Sequence, residues 1–155
     1  MEKQPNSRDC FVCGVANPIG LKIAFYSESE TKVIAHFTPR DEHQGFPGVL
    51  HGGIISALLD ETIGRLLTPK DRWAMTAELN VRFLAPVPIG RPLTVEGELT
   101  RLRSRTLEGH GRVLLDDGAV AATAEAKYYI LSDAKTARYR DELGFWQVVP
   151  DEVLR

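Results

Sequence analysis

His51, Gly52 and Gly53, followed nine residues after the histidine by Asp60 with Glu61 beside it, put two kinds of chemistry into one apolar run, residues 48–64 (GVLHGGIISALLDETIG). The glycine pair stands where a helix would begin. The first amides of a helix have no intrahelical acceptor and carry the positive end of its dipole. Amides so placed can hold a developing oxyanion, and a carboxylate can act as nucleophile or general base. Nine residues cover about 13.5 Å of helix axis and turn the side chain to roughly the opposite side. Within one chain Asp60 therefore cannot meet the helix start. Two such helices packed antiparallel would set Asp60 of one beside Gly52 and Gly53 of the other, so the spacing predicts a site shared by two subunits.

Gly53, Ser56, Ala57, Asp60 and Gly64 recur at helical spacing and form a small, polar face, while Ile55, Leu58, Leu59, Ile63, Leu66 and Leu67 supply most of the rest. Such a helix suits a place inside a curved sheet, with room on its small face for a partner helix or a substrate. Glu61 is accounted for as a surface acid paired with Arg65 at i+4. Asp60, flanked by glycine, serine and alanine, reads as functional. His51, at the cap, is expected to fix the loop through a ring hydrogen bond, with direct substrate contact the other reading. His36, His43 and His110 have no carboxylate close in sequence and are read as structural.

The elements that would position this segment follow from pattern and punctuation. Residues 21–28 and 31–38 read as a hairpin, and 39–50, with Gly45, Pro47 and Gly48, as a loop delivering the chain to a helix over 52–67 that stops before Pro69. Strands are expected over 72–85, 92–103, 105–115 and 119–131. Pro86 and Pro88 mark one connector, and Asp116-Asp117-Gly118 marks a turn. The charged tail, 133–155, suggests a short helix over 134–143 with Phe145 and Trp146 docking back. The expected fold class is α+β, an antiparallel sheet curled around one long helix, whose open edges invite dimerisation.

With 155 residues, 43% hydrophobic and 26% charged, the chain fits one domain, 1–155, comprising a lead-in over 1–20 and a tail over 132–155. A net charge of −2 offers no global attraction to nucleic acid or anionic membrane. No stretch approaches the length of a membrane span and residues 1–9 have no signal-type apolar region, so a cytoplasmic protein is expected. Cys10 and Cys13, in CFVCG, could be half of a zinc site or a redox pair. The four histidines offer no spacing to complete a zinc site, and the turn at 17–20 does not suit a redox motif. A packed lead-in without metal is therefore the expectation.

These residues resemble the hotdog-fold thioesterase superfamily, and within it the PaaI-like and 4-hydroxybenzoyl-CoA thioesterase-like acyl-CoA thioesterases, over Cys10 to about Leu131. The resemblance rests on His51-Gly52-Gly53 with Asp60, on residues 76–87 (TAELNVRFLAPV), and on a lead-in of the form CxxCGxxNPxGL. It implies hydrolysis of an acyl-CoA thioester by a homodimer or dimer of dimers. Asp60 would be nucleophile or general base, with the partner's Gly52 or Gly53 amide on the carbonyl and Thr76 helping to hold water. The polar residue that relatives place before the glycine pair falls at Gly45, with Gln44 the nearest amide. Where some relatives have a hydroxyl one turn after the acid, this chain has Gly64. Coenzyme A, here part of the substrate and not a cofactor, carries phosphates. Arg101, Arg103 and Arg105 would share one face to meet them if a strand ran through Ser104, and a turn there would break that face; Arg82 and Arg91 are further candidates. A binding module of the same fold without turnover is the alternative, and a hotdog hydratase a third, for which the chain lacks a histidine about five residues after the acid.

Overall fold

The computed structural model describes residues 1–155. The helix α1, Gly52–Gly64, packs on a seven-stranded antiparallel sheet of β1 (Glu2–Lys3), β3 (Phe25–Ser29), β4 (Lys32–Phe37), β5 (Ala74–Phe83), β6 (Leu93–Leu102), β7 (Thr106–Leu115) and β8 (Val120–Ile130). The spatial order is β1-β3-β4-β6-β7-β8-β5. A two-stranded ribbon joins β2 (Asn6–Ser7) to β9 (Trp146–Gln147), and α2 (Asp133–Leu143) lies between β8 and β9.

Alternation fixes which sheet face meets the helix. Leu93, Val95 and Gly97 on β6, Leu107, Gly109, Gly111 and Val113 on β7, and Ala122, Ala124, Ala126 and Tyr128 on β8 are buried. Against them lie Ile55, Leu58, Leu59, Thr62 and Ile63 of α1. The fit is close because the centre of β7 has no side chains on its helix-facing side. A Cβ on Gly109 would fall 2.4 Å from Ile63 Cγ2, and one on Gly111 would fall 2.9 Å from Leu59 Cδ2. Burying these aliphatic groups supplies the main stabilisation, about 1.5–3 kcal/mol for each large side chain fully removed from water.

Two expected boundaries shift. The α-helix ends at Gly64 instead of residue 67 and tightens into a 3₁₀ helix, Arg65–Lys70, with Pro69 inside it and Asp71 in the left-handed region as its cap. The tighter winding lets Leu66 and Leu67 join the core, and Pro69 does not break it because a 3₁₀ turn this close to its end needs few N–H donors. Residues 21–24 run outside the hairpin because they serve the lead-in: Leu21 N–H bonds Phe11 O and Ile23 N–H bonds Val12 O. The lead-in is thus stitched into the core, with Asn6 Nδ2 donating to Cys13 O at 2.7 Å and to Ile23 O at 2.9 Å. Trp146 docks back as expected, its ring 5.1 Å from that of Trp73.

The sheet has one short edge, the two residues of β1, and one long one. β5 pairs only with β8, and its other edge is open over ten residues. Met75 (52% exposed), Phe83 (56%) and, just beyond, Leu84 (58%) stand out along it. No helix is long and apolar enough to cross a membrane.

Candidate active site

The carboxylate of Asp60 is held by two hydroxyls from neighbouring strands. Thr76 on β5 and Tyr128 on β8 are directly opposed in the ladder, so both side chains fall on the helix-facing side. Thr76 Oγ1 donates to Asp60 Oδ1 at 2.8 Å. Tyr128 Oη lies 3.0 Å from the same oxygen and 2.8 Å from the Asp60 carbonyl oxygen, and its single proton serves these two acceptors. A register shift between Thr76 and Glu78 bends β5 just past Thr76, the kind of bulge that re-aims a side chain. Oδ2 of Asp60 is engaged by neither hydroxyl.

Tyr128 reaches Asp60 because residue 64 is glycine: a Cβ there would lie 3.3 Å from the tyrosine ring. Burial, together with the adjacent Asp60 charge, pushes the Tyr128 phenol well above its ordinary range, so it stays a donor. Tyr128 is not among the residues singled out by motif and spacing. Its signal was the row Ala122, Ala124, Ala126, which marks the helix-facing side of β8 and ends on that tyrosine.

At the other end of α1, His51 is the N-cap, and its Nδ1 accepts the Gly53 N–H at 2.8 Å. This corrects the expectation of two free glycine amides. Gly53 is spoken for, and Gly52 carries the helix-start N–H that the cap leaves over. A Cβ on Gly52 would press on the Phe83 ring at 3.3 Å. Gln44 turns into its own loop, its Oε1 accepting the Gly48 N–H at 3.1 Å.

Asp60, Thr76 and Tyr128 line a cavity of about 240 Å³. Trp73, Ala74, Leu143 and Trp146 form apolar walls, and Glu61, Arg65, Cys10 and Cys13 a polar one. Glu61 does pair with Arg65, Oε1 to Nε at 2.9 Å, but this is no solvated surface pair: Arg65 is 4% exposed. Arg72, also on the cavity, donates to Ser104 O at 3.4 Å.

The arginine row is broken. β6 ends at Leu102 and β7 begins at Thr106, so Arg103 and Arg105 flank a turn closed by the Arg103 N–H on Thr106 O, while Arg101 pairs with Glu108 at 3.5 Å. Arg82 is exposed near the far end of β5, and Arg91 pairs with Asp116. Of the remaining histidines, His43 is buried with Nδ1 accepting the Arg40 N–H at 2.9 Å, and burial lowers its pKa. His110 meets Glu125 across the ladder at 2.6 Å, and His36 meets Thr94 at 3.1 Å.

Comparison with known proteins agrees with this architecture. Residues 47–122 match the family described as the Thioesterase superfamily. A Saccharolobus solfataricus protein that carries an esterase name is 34% identical over 102 residues, 64% of this chain and 72% of that one. The acyl-coenzyme A thioesterase THEM4 of Rattus norvegicus is 29% identical over 107 residues, 68% of this chain and 46% of the relative; the chain thus spans about half the length of that protein. The solved structure of RHA08564, a thioesterase superfamily protein, superposes with a TM-score of 0.73 at 30% identity, over 78% of this chain and 63% of that one. The chain belongs to the thioesterase superfamily, and its sheet-wrapped helix is the hotdog fold.

Proposed function

We propose that the protein hydrolyses an acyl-coenzyme A thioester to coenzyme A and a carboxylic acid, with Asp60 as the reacting carboxylate in a site completed by a second copy of the chain. The observation that carries this reading is the pair of hydroxyls on Asp60 Oδ1, which orients the group and leaves Oδ2 for a water or an acyl carbon. The name of the rat relative supplies the substrate class.

In the general-base route, Oδ2 takes a proton from a water whose oxygen adds to the thioester carbonyl carbon. The carbonyl oxygen becomes an oxyanion and accepts the Gly52 N–H of the second copy. Collapse restores the C=O bond and breaks the C–S bond, and the thiolate leaves with the proton that Asp60 held. In the direct route Oδ2 itself bonds to carbon, expels the thiolate and leaves an anhydride for water to open. Both routes use the same groups.

Several features support the rest of the assembly. The open β5 edge, with Met75 and Phe83 exposed, suits pairing with a second copy into a homodimer. Trp73, Leu143 and Trp146 suit an apolar acyl group. Arg72 lines the cavity and bonds Ser104 in the turn that carries Arg103 and Arg105, which makes these three cations the candidates for the coenzyme A phosphates. Free Cys10 and Cys13 fit a reducing, cytoplasmic setting.

The test is free-thiol release from aryl, short, medium and long acyl-CoA, comparing the wild type with Asp60→Asn and correcting for reaction of Cys10 and Cys13 with the reagent. Turnover that collapses in the variant supports the reading. No turnover on any substrate, with thermal stabilisation by acyl-CoA intact, would replace it with a binding module.

A further inference from the structure

On the polar wall of the cavity the lead-in meets α1. Cys10 Sγ, Cys13 Sγ and a carboxylate oxygen of Glu61 all lie within 4.8 Å of one another. Backbone donors converge on one of the two sulfurs. Val12 and Cys13 donate their N–H groups to Cys10 Sγ at 3.3 and 3.4 Å, and Ser7 Oγ stands 3.4 Å from Cys13 Sγ. The knuckle closes through the Gly14 N–H on Cys10 O at 2.8 Å. It requires glycine there, since a Cβ at residue 14 would fall 2.3 Å from that oxygen. Glu61 gives one oxygen to Arg65 and keeps the other unpartnered. Arg65, buried between the rings of Phe25 (4.3 Å) and Trp146 (5.3 Å), has an Nη2 with no acceptor.

We infer that Cys10, Cys13 and Glu61 bind a divalent metal ion, best fitted by zinc, with a water from the cavity as fourth ligand. Two thiolates and a carboxylate form a soft, mixed donor set that selects zinc over magnesium or calcium. With Zn–S near 2.3 Å and Zn–O near 2.0–2.2 Å, a tetrahedron sets its donors about 3.5–3.8 Å apart. The three groups then need to close by at most about 1.3 Å. Charge also closes: two thiolates and Glu61 carry three negative charges, which the ion and the Arg65 guanidinium balance inside a buried wall. Two thiol protons leave as the ion enters, so the wall is neutral in both states. Arg65 is therefore a counter-ion that stays on Glu61 Oε1 while the other oxygen ligates. The ion would staple the lead-in, which lies outside the family match at 47–122, to the helix one residue after Asp60.

The test needs no substrate and so stands apart from the hydrolysis reading. Protein purified under reducing conditions and stripped of metal is titrated with Co²⁺ and with Zn²⁺, following absorbance and the thermal midpoint. One equivalent per chain, a thiolate-to-cobalt charge-transfer band and a raised midpoint with zinc are expected. Cys10→Ser should abolish all three. Glu61→Gln keeps an acceptor for Arg65 Nε and should weaken binding about 10- to 100-fold. A reduced wild type that gives no charge-transfer band overturns the proposal, and that spectrum decides even if a variant fails to fold. Unaltered zinc affinity in Glu61→Gln would overturn the assignment of the third ligand.

Discussion

Asp60 and Glu61 are adjacent, both acidic, both half-buried, and both on the same cavity, yet they belong to different parts of the molecule. Asp60 looks to the sheet: its partners are two neutral hydroxyls on β5 and β8, and no cation touches it. Glu61, about 100° further round the helix, looks to the lead-in, where it meets a buried guanidinium and two sulfurs. The difference is one of work. Hydroxyls orient a carboxylate without pairing its charge and here leave one oxygen available; an ion pair commits a carboxylate to structure. Exposure alone would not have told the two apart.

The contrast breaks most sharply at Asp60 itself. Asp60→Asn keeps shape and an acceptor for both hydroxyls, so thiol release should fall about 10²–10⁴-fold with the melting midpoint nearly unchanged. Glu61→Ala should do the reverse. Stranding Arg65 as a buried, unpaired charge is expected to lower stability by roughly 3 kcal/mol, read by denaturant titration, with the folded fraction still active. If Glu61→Ala instead abolished turnover in fully folded protein, the division of labour between the two acids would be wrong.

Finer changes sharpen the Asp60 half. Thr76→Ala and Tyr128→Phe each remove one hydroxyl and should each lower kcat about tenfold, with the double variant departing from additivity because both hold one oxygen. Tyr128→Phe should also lower stability by about 1 kcal/mol through its lost bond to the Asp60 carbonyl. Replacing Arg103 and Arg105 together by alanine should raise KM for an acyl-CoA about tenfold and leave an acyl-pantetheine substrate, which lacks the nucleotide phosphates, unaffected.

The smallest effect lies at His43, remote from both acids. Burial favours its neutral form, in which Nδ1 accepts the Arg40 N–H, so its pKa lies below the ordinary value. Its contribution is complete above about pH 6.5 and is lost as pH falls from there through the folded-state value. His43→Gln should flatten that part of the stability-pH curve while turnover stays as in the wild type.

Much of this was legible in the residues because it is local. The glycine pair, the small face around Asp60 and the apolar remainder of α1 are periodic within one segment, and β5 to β8 alternate within theirs, so the expected bounds of these four strands lie within two residues of those found. The two-residue strands were not legible. Asn6–Ser7 and Trp146–Gln147 have no pattern of their own and exist only because the chain brings them together. The arginine row at 101–105 depended on whether Ser104 continued a strand, and the hairpin register decided that it turns.

The site divides in the same way. Residue order alone requires that a helix opens at His51-Gly52-Gly53, that Asp60 lies too far along it to meet its own helix start, and that Thr76 sits on the following strand. Those are matters of spacing along one chain, set by helical rise and strand alternation. It takes the folded chain to bring Tyr128 to Asp60 over Gly64, to set His51 on the Gly53 amide, and to turn Glu61 toward Cys10 and Cys13. Each of these depends on which face one element turns to another far away in sequence, and that orientation comes from packing the core.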